Sequence, residues 1–376
     1  MRPRIRFVIN SLAGGGAERV FSTIAAASRA QADVCDFAVV LLDREEEAYA
    51  LPDWVRLERL DAGGSLVRST RDLHALFRRE RPDLTLSFLS RANAACVVSA
   101  KLLGFRTVIS ERINTSAHLG DSVRGRVSKA IVRATYPRAD HVLANSEGIV
   151  DDLVANFGVR RDRASVIMNP VDAAGIRAKG AAEPEIALPP SFIVATGRLT
   201  VVKRFADLIR GYAIADPPHA LVILGEGPER ARLEALVTEL GLHDRVSMPG
   251  FVRNPYAVMR RAAFAVSASS GEGMPNVLLE LLALGVPAVH TNCASGPSEV
   301  LANARRETIT GVAVVRYGIL TPVGDPAALA AGMQMMQDAA VRATYAERGP
   351  ERVADLDAAT IAGRYWATLN ATLAGR

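Results

Sequence analysis

Two α/β domains of similar size, each built on a doubly wound parallel sheet, are what this sequence predicts. Three observations carry the prediction. Short apolar runs alternate with longer helical patterns from residue 4 to about residue 170, as strand–helix–strand units do. The alternation breaks off in "DAAGIRAKGAAEPEIALPP" (172–190), rich in Ala, Gly and Pro, and resumes at residue 192. The chain's 376 residues also exceed what one hydrophobic core usually supports.

In the first half, "RIRFVIN" (4–10), "CDFAVVLL" (35–42), "LTLSFLS" (84–90), "TVIS" (107–110), "HVLANS" (141–146) and "SVIMNP" (165–170) read as buried strands. Helical patterns such as "AERVFSTIAAAS" and "SEGIVDDLVANF" fill the gaps, the second opened by Ser146 as N-cap. Without a strong period, 172–190 reads as an inter-domain linker. Beyond it come strands at 192–197, 220–227, 245–251, 263–269 and 287–292, with helices at 229–240 and 276–284. Two such domains leave a deep cleft between two sets of strand C-termini, where ligands of open parallel sheets bind.

Composition narrows the function. An apolar content of 49% argues for a large buried core and against disorder. The net charge of +5 fits an anionic ligand or a membrane surface, and equally many ordinary enzymes. Nucleic acid is not expected: aromatics are 5%, and no zinc-finger, RRM-type or homeodomain-like string occurs. Cys35, Cys96 and Cys293 lack metal-ligand spacing and read as free thiols. The N-terminal apolar stretch is too short for a signal peptide, and no window reaches the ~18 apolar residues of a spanning helix. The expectation is a soluble or peripheral cytoplasmic protein.

Three loops carry chemistry. "NSLAGGGAERV" (10–20) places three glycines between a strand and a helix, where backbone amides approach an anion closely. It is neither the dinucleotide fingerprint nor a P-loop, and a plain tight turn is the other reading. In "GRLTVVKRFADLI" (197–209), Arg198 and Lys203 near a helix start suit a diphosphate, or are two solvated surface cations. In "GEGMPNVLLELLALGVP" (271–287), Pro275 reads as the first helical residue and Gly285 with Pro287 as the stop. Glu272 then hangs at a strand's C-terminal end, while Glu280 sits in an apolar run. A buried carboxylate needs donors. Ligand hydroxyls supply them, and a ribose offers two; the alternatives are a Glu turned outward or paired with a nearby arginine.

The E-x7-E spacing of Glu272 and Glu280, together with "GRLTVVKR", "LGEGPER", "MPGFVRN" and "NPVD", resembles glycosyltransferase family 4. "SLAGGGAERV" and "SGPSEVL" (295–301) look like its bacterial surface-polysaccharide and lipid-linked-oligosaccharide branches. The resemblance implies a GT-B fold, with two Rossmann-like domains facing a central cleft. The divisions expected are an acceptor-side domain (1–172), the linker (173–190), a nucleotide-sugar domain (191–350) and a C-terminal helix (351–376) crossing back to the first domain.

It also implies site roles. Arg198 and Lys203, with Gly197 beside them, would neutralise the donor diphosphate. Glu272 would approach the donor sugar and Glu280 hold the ribose. Gly250, Phe251 and Val252 would border the base; Gly15, Gly16 and the amides near Asn276 and Val277 would reach the phosphates. In "SERINTSAH" (110–118), His118 would polarise the sugar or assist the acceptor, and Glu111, Arg112 and Asn114 would bind acceptor hydroxyls. A lone loop histidine is otherwise incidental.

The implied reaction is retaining transfer of a hexose or N-acetylhexosamine from a nucleotide sugar, UDP favoured, to a polyprenyl-diphosphate-linked or other glycan acceptor. No protein nucleophile and no cofactor is called for. No metal is expected either: the sole D-x-D string, "DLD" (355–357), falls in a C-terminal helical pattern far from these motifs. In "SVRGRVSKAIVRATYPR" (122–138), Arg126, Lys129 and Arg133 share one helical face and Val123, Val127 and Ala130 another. It is either a lipid-docking helix or a core helix with a charged exterior. Rival functions are a sugar-nucleotide 2-epimerase or a phosphorylase on the same fold, and a non-catalytic sugar-nucleotide-binding module.

Overall fold

The structure, a computed structural model, describes residues 2–120 and 122–375. The chain divides into two compact units: Met1–Pro170 with Ala358–Arg376, and Val171–Asp357.

Unit 1 is a Rossmann-like sheet of β1 (Arg4–Ile9), β2 (Asp36–Leu41), β3 (Arg56–Arg59), β4 (Leu84–Phe88), β5 (Arg106–Glu111), β6 (His141–Ala144) and β7 (Ala164–Val166). The order is β3-β2-β1-β4-β5-β6-β7, all parallel. The inner strands are apolar runs because helices cover both faces of a parallel sheet. The charged "RLER" of β3 was not foreseen as a strand; it is the edge, where polar side chains cost nothing. Ser146 precedes the helix Glu147–Phe157 in an extended conformation, as expected, but its buried hydroxyl makes no capping bond.

Unit 2 repeats the architecture with β8 (Phe192–Thr196), β9 (Ala220–Leu224), β10 (Val246–Gly250), β11 (Phe264–Ser267), β12 (Ala288–Thr291), β13 (Ala313–Val315) and β14 (Gly318–Thr321). The order is β10-β9-β8-β11-β12-β14-β13, with only β13 antiparallel. Strand order reverses between β8 and β11, which makes that point the ligand crevice of a doubly wound sheet.

Two expected boundaries move. Residues 173–190 are not a free linker: the helix Ala173–Gly180 opens unit 2, capped by Asp172, whose carboxylate accepts from Gly175 N–H at 2.9 Å. Its tight seat explains the small residues, since a Cβ on Gly180 would lie 2.9 Å from Leu284. Residues 351–357 also belong to unit 2, and "DLD" lies in a turn between helices rather than within one, its two aspartates exposed and Leu356 buried. The helix Ala358–Leu373 belongs to unit 1. There Trp366 donates to Ser28 Oγ at 2.8 Å and stacks on Phe7 with ring centroids 5.8 Å apart. Burying so large a ring contributes up to about 4–6 kcal/mol. The three cysteines are free and buried. Among the described residues no helix is long and apolar enough to cross a membrane.

Candidate functional site

In unit 2 the C-terminal ends of neighbouring strands carry the sequence motifs. After β8 the chain turns at Gly197, and Leu199 N–H donates to Glu226 O at 2.8 Å, tying the "GRL" turn to the "GEG" turn after β9. These glycines are there for close approach: a Cβ on Gly225 (φ +130°) would fall 2.1 Å from Gly197 O. Gly225 N–H donates to Gly250 O at 2.8 Å, which brings in the end of β10. Beyond Gly250, Phe251 is 77% exposed while Val252 is buried.

On the other side of the switch point, Ser270 donates from both N–H (2.8 Å) and Oγ (3.0 Å) to Val202 O. This bridge sets Lys203 against Glu272: Nζ lies 2.6 Å from Oε1, and both side chains are largely buried. Burial pushes the Glu272 carboxyl upward, but Lys203 and His290 outweigh it and hold the group below its ordinary value. Glu272 is therefore an anion, and Lys203 is its partner. Arg198 is exposed, and no carboxylate among the described residues pairs with it.

The loop after β12 fixes Glu272 from behind. Ser295 Oγ donates to Glu272 O at 2.5 Å. A Cβ on Gly296 (φ +95°) would fall 2.6 Å from Pro275 Cδ, so "SGP" and "GMP" pack only with glycine there. The helix runs Asn276–Ala283, one residue later than the sequence suggested, with Pro275 at its N-cap. Leu278 N–H donates to Pro275 O at 3.0 Å, so Asn276 and Val277 precede the helical ladder, at its positive end. Glu280 is 7% exposed, and Tyr256 Oη donates to its Oε1 at 3.3 Å. A tyrosine 24 residues away thus supplies a donor where the sequence suggested a ligand or an arginine.

Sequence reasoning missed His290. Its strand, "AVHT", reads as plain apolar β, and nothing local marks the ring as a site residue. It is 3% exposed, and its Nδ1 donates to Thr291 O at 2.8 Å.

In unit 1 Gly15 and Gly16 stand at the N-terminus of the helix Gly16–Ala26, as expected, with Gly16 exposed. The Glu18 carboxylate folds back over Gly15, at 2.3 Å from where a Cβ would stand. His118 is exposed on the short helix Thr115–Leu119. The other three residues expected on the acceptor side are buried in unit 1. Glu111 is fully buried and accepts from Tyr136 Oη, Ser90 Oγ (3.3 Å) and Arg112 N–H (2.8 Å). Arg112 is buried, donating to Asn169 and to Tyr365 Oη (2.9 Å) over the Phe88 ring. Asn114 caps a helix by accepting from Ala117 N–H at 3.0 Å. All three side chains bond groups of unit 1 itself, although Arg112 Nε finds no partner among the described residues.

The basic segment forms the helix Val123–Thr135. It buries Gly125, Val132 and Thr135 and leaves Val123 (69%) and Val127 (55%) exposed beside exposed Arg124 and Arg126. Arg133 instead donates to Asn156 O at 2.8 Å and lies over the Phe157 ring, so it is held by unit 1.

Two doubly wound parallel domains, one with paired charges across its switch point, define the class of two-domain α/β enzymes that bind charged ligands at strand C-termini. Residues 14–174 match the model of glycosyltransferase family 4 and residues 178–352 that of glycosyl transferases group 1. N-acetylgalactosamine-N,N'-diacetylbacillosaminyl-diphospho-undecaprenol 4-alpha-N-acetylgalactosaminyltransferase of Campylobacter jejuni is 30% identical over 96% of this chain and 97% of its own. The chain belongs to glycosyltransferase family 4, and it is a glycosyltransferase. Sucrose-phosphate synthase from Thermosynechococcus elongatus has the same GT-B fold at 19% identity, with a TM-score of 0.80 over 99% of this chain and 100% of that one. HepE from Anabaena, solved in complex with UDP-glucose, matches at 20% identity with a TM-score of 0.75 over 98% and 100%.

Proposed function

We propose that this enzyme moves a hexose or N-acetylhexosamine, with retention, from a UDP-sugar to a polyprenyl-diphosphate-linked glycan in bacterial surface-glycan assembly. The observation that carries the reading is the Lys203–Glu272 pair across the switch point of sheet β10-β9-β8-β11-β12-β14-β13, beside unpaired Arg198 and the N-terminus of Asn276–Ala283. The Campylobacter relative, by name an N-acetylgalactosaminyltransferase of a diphospho-undecaprenol-linked saccharide, supports the lipid-linked acceptor.

In this reading Arg198 and Lys203 stabilise the charge on the departing nucleoside diphosphate. The amides of Asn276 and Val277 add helix-terminus contacts. Glu280 holds the ribose, with Tyr256 orienting its carboxylate. Glu272 addresses the sugar hydroxyls, and the Gly250–Val252 turn borders the base. The leaving phosphate takes the acceptor proton on the same face, so positioning and charge stabilisation carry the rate. Metal independence is part of the proposal, since two side-chain cations supply the charge a dication would. Gly15, Gly16 and His118 remain proposed contacts of the phosphates and the acceptor. The exposed Val123 and Val127 with Arg124 and Arg126 suit an anionic lipid surface that presents such an acceptor.

A donor-plus-acceptor assay tests the reading. Sugar transfer that requires both substrates supports it; conversion of the donor alone, or dependence on inorganic phosphate, overturns it.

A further inference from the structure

Glu272 has one cation in direct contact, Lys203, and the proposed function gives that lysine a second task at the donor diphosphate. A buried carboxylate that loses its counter-ion is costly. Besides Lys203, His290 is the cationic side chain that acts on Glu272 among the described residues. His290 lies on β12, its backbone paired in register with Ser267 of β11, the strand whose C-terminal loop carries Glu272. A carbonyl can only accept, so the bond to Thr291 O fixes the proton on Nδ1 and leaves Nε2 as the nitrogen able to gain one.

We propose that His290 is a positioning residue that takes up a proton when the donor binds. As a nucleoside diphosphate draws Lys203 toward its phosphates, Nε2 of the ring gains a proton from solvent, and the imidazolium becomes a second cation acting electrostatically on Glu272. One N–H bond forms and no other covalent bond changes.

The charges around the ring agree with this. Burial holds the imidazole below its ordinary pKa, Glu272 pulls it upward and Lys203 opposes that pull. These are the charged groups acting on the ring, with the thiol of Cys293 nearby pushed up to about 12 by burial and by Glu272, and so neutral. Adding phosphate charge and shifting Lys203 both make the field at His290 more negative, and both favour the protonated ring. Binding then weakens as pH rises, because the proton must be taken from a scarcer pool.

The inference rests on the donor reading of this site, and one experiment separates the two. UDP and GDP are titrated calorimetrically into the full chain, wild type and His290→Asn, in two buffers of different ionisation enthalpy near pH 7. The Asn amide keeps a donor near the Nδ1 position and cannot titrate. Wild type should take up about half a proton or more per nucleotide, and His290→Asn measurably less. From pH 6.5 to 8 wild-type affinity should fall several-fold more than the variant's. The nucleotide's own phosphate ionisation is common to both proteins and cancels in the difference. Binding without buffer-dependent heat in wild type, or with equal uptake in the variant, overturns the role of His290. No binding of either nucleotide overturns the donor reading and this inference with it. If His290→Asn does not fold, His290→Gln replaces it, and its difference from wild type decides.

Discussion

Glu272→Gln separates two tasks that the Lys203–Glu272 pair ties together. The bond is charge-assisted at 2.6 Å. Charge-assisted bonds contribute about 1.5–3 kcal/mol; the ammonium–carboxylate pair stands at the upper end of that range and an ammonium–amide bond, with one charge only, at or below its lower end. The substitution therefore removes about 1–2 kcal/mol of what holds the lysine away from an incoming diphosphate. Solvent reaches the lysine, whose side chain is 28% exposed, so screening brings the effect toward the lower bound. Nucleoside-diphosphate affinity should rise about fivefold. Turnover should move the other way, by about 10²-fold, because the carboxylate's contact with the sugar is used in the transition state. Calorimetry with UDP and GDP beside steady-state kinetics reads both quantities. Affinity falling together with kcat would refute the reasoning, as it would make Glu272 a nucleotide ligand; so would a variant changed in neither.

Arg198→Ala and Lys203→Ala should each cut kcat/KM by at least ~10²-fold. Arg198→Ala should do so at unchanged Tm, since its side chain pairs with no carboxylate among the described residues. Glu280→Gln should raise donor KM and weaken nucleoside-diphosphate binding by about 1–3 kcal/mol with a smaller effect on kcat; normal binding would make Glu280 a structural charge for Tyr256. Activity should survive excess EDTA, and loss restored by Mg²⁺ or Mn²⁺ would show that a dication stabilises the leaving group. Vesicles of anionic lipid should bind the protein in low salt and release it in high salt, with Arg124→Glu/Arg126→Glu abolishing capture; equal binding to neutral vesicles would return the helix Val123–Thr135 to a structural role.

What the sequence revealed follows the range of the forces involved. Buried parallel strands leave local patterns, so sheet alternation and the strand end at Gly197 were legible, as was the odd carboxylate at Glu280, whereas Gly250 entered only through the family resemblance. Pairings across the sheet leave none. Lys203 and Glu272 are 69 residues apart, and they meet only because β8 and β11 are neighbours in the fold. Tyr256 and His290 were invisible for the same reason. The burial of Glu111, Arg112 and Asn114 was not legible, because a polar loop after a strand looks alike whether it faces a ligand or the interior. Glu111 and Arg112 prove to be buried partners of Tyr136 and Tyr365, and the second of these comes from the far end of the chain. The small residues of 173–180 likewise suggest a linker, but they form a closely packed helix.

A crystal structure of the full chain with UDP or GDP tests the central claim most directly. The account predicts a diphosphate within hydrogen-bonding reach, about 3 Å, of Lys203 Nζ and the Arg198 guanidinium, with the ribose hydroxyls on Glu280 and the Lys203–Glu272 contact opened. A nucleotide seated elsewhere, or one bound here with that contact still closed and Glu280 unengaged, would contradict it.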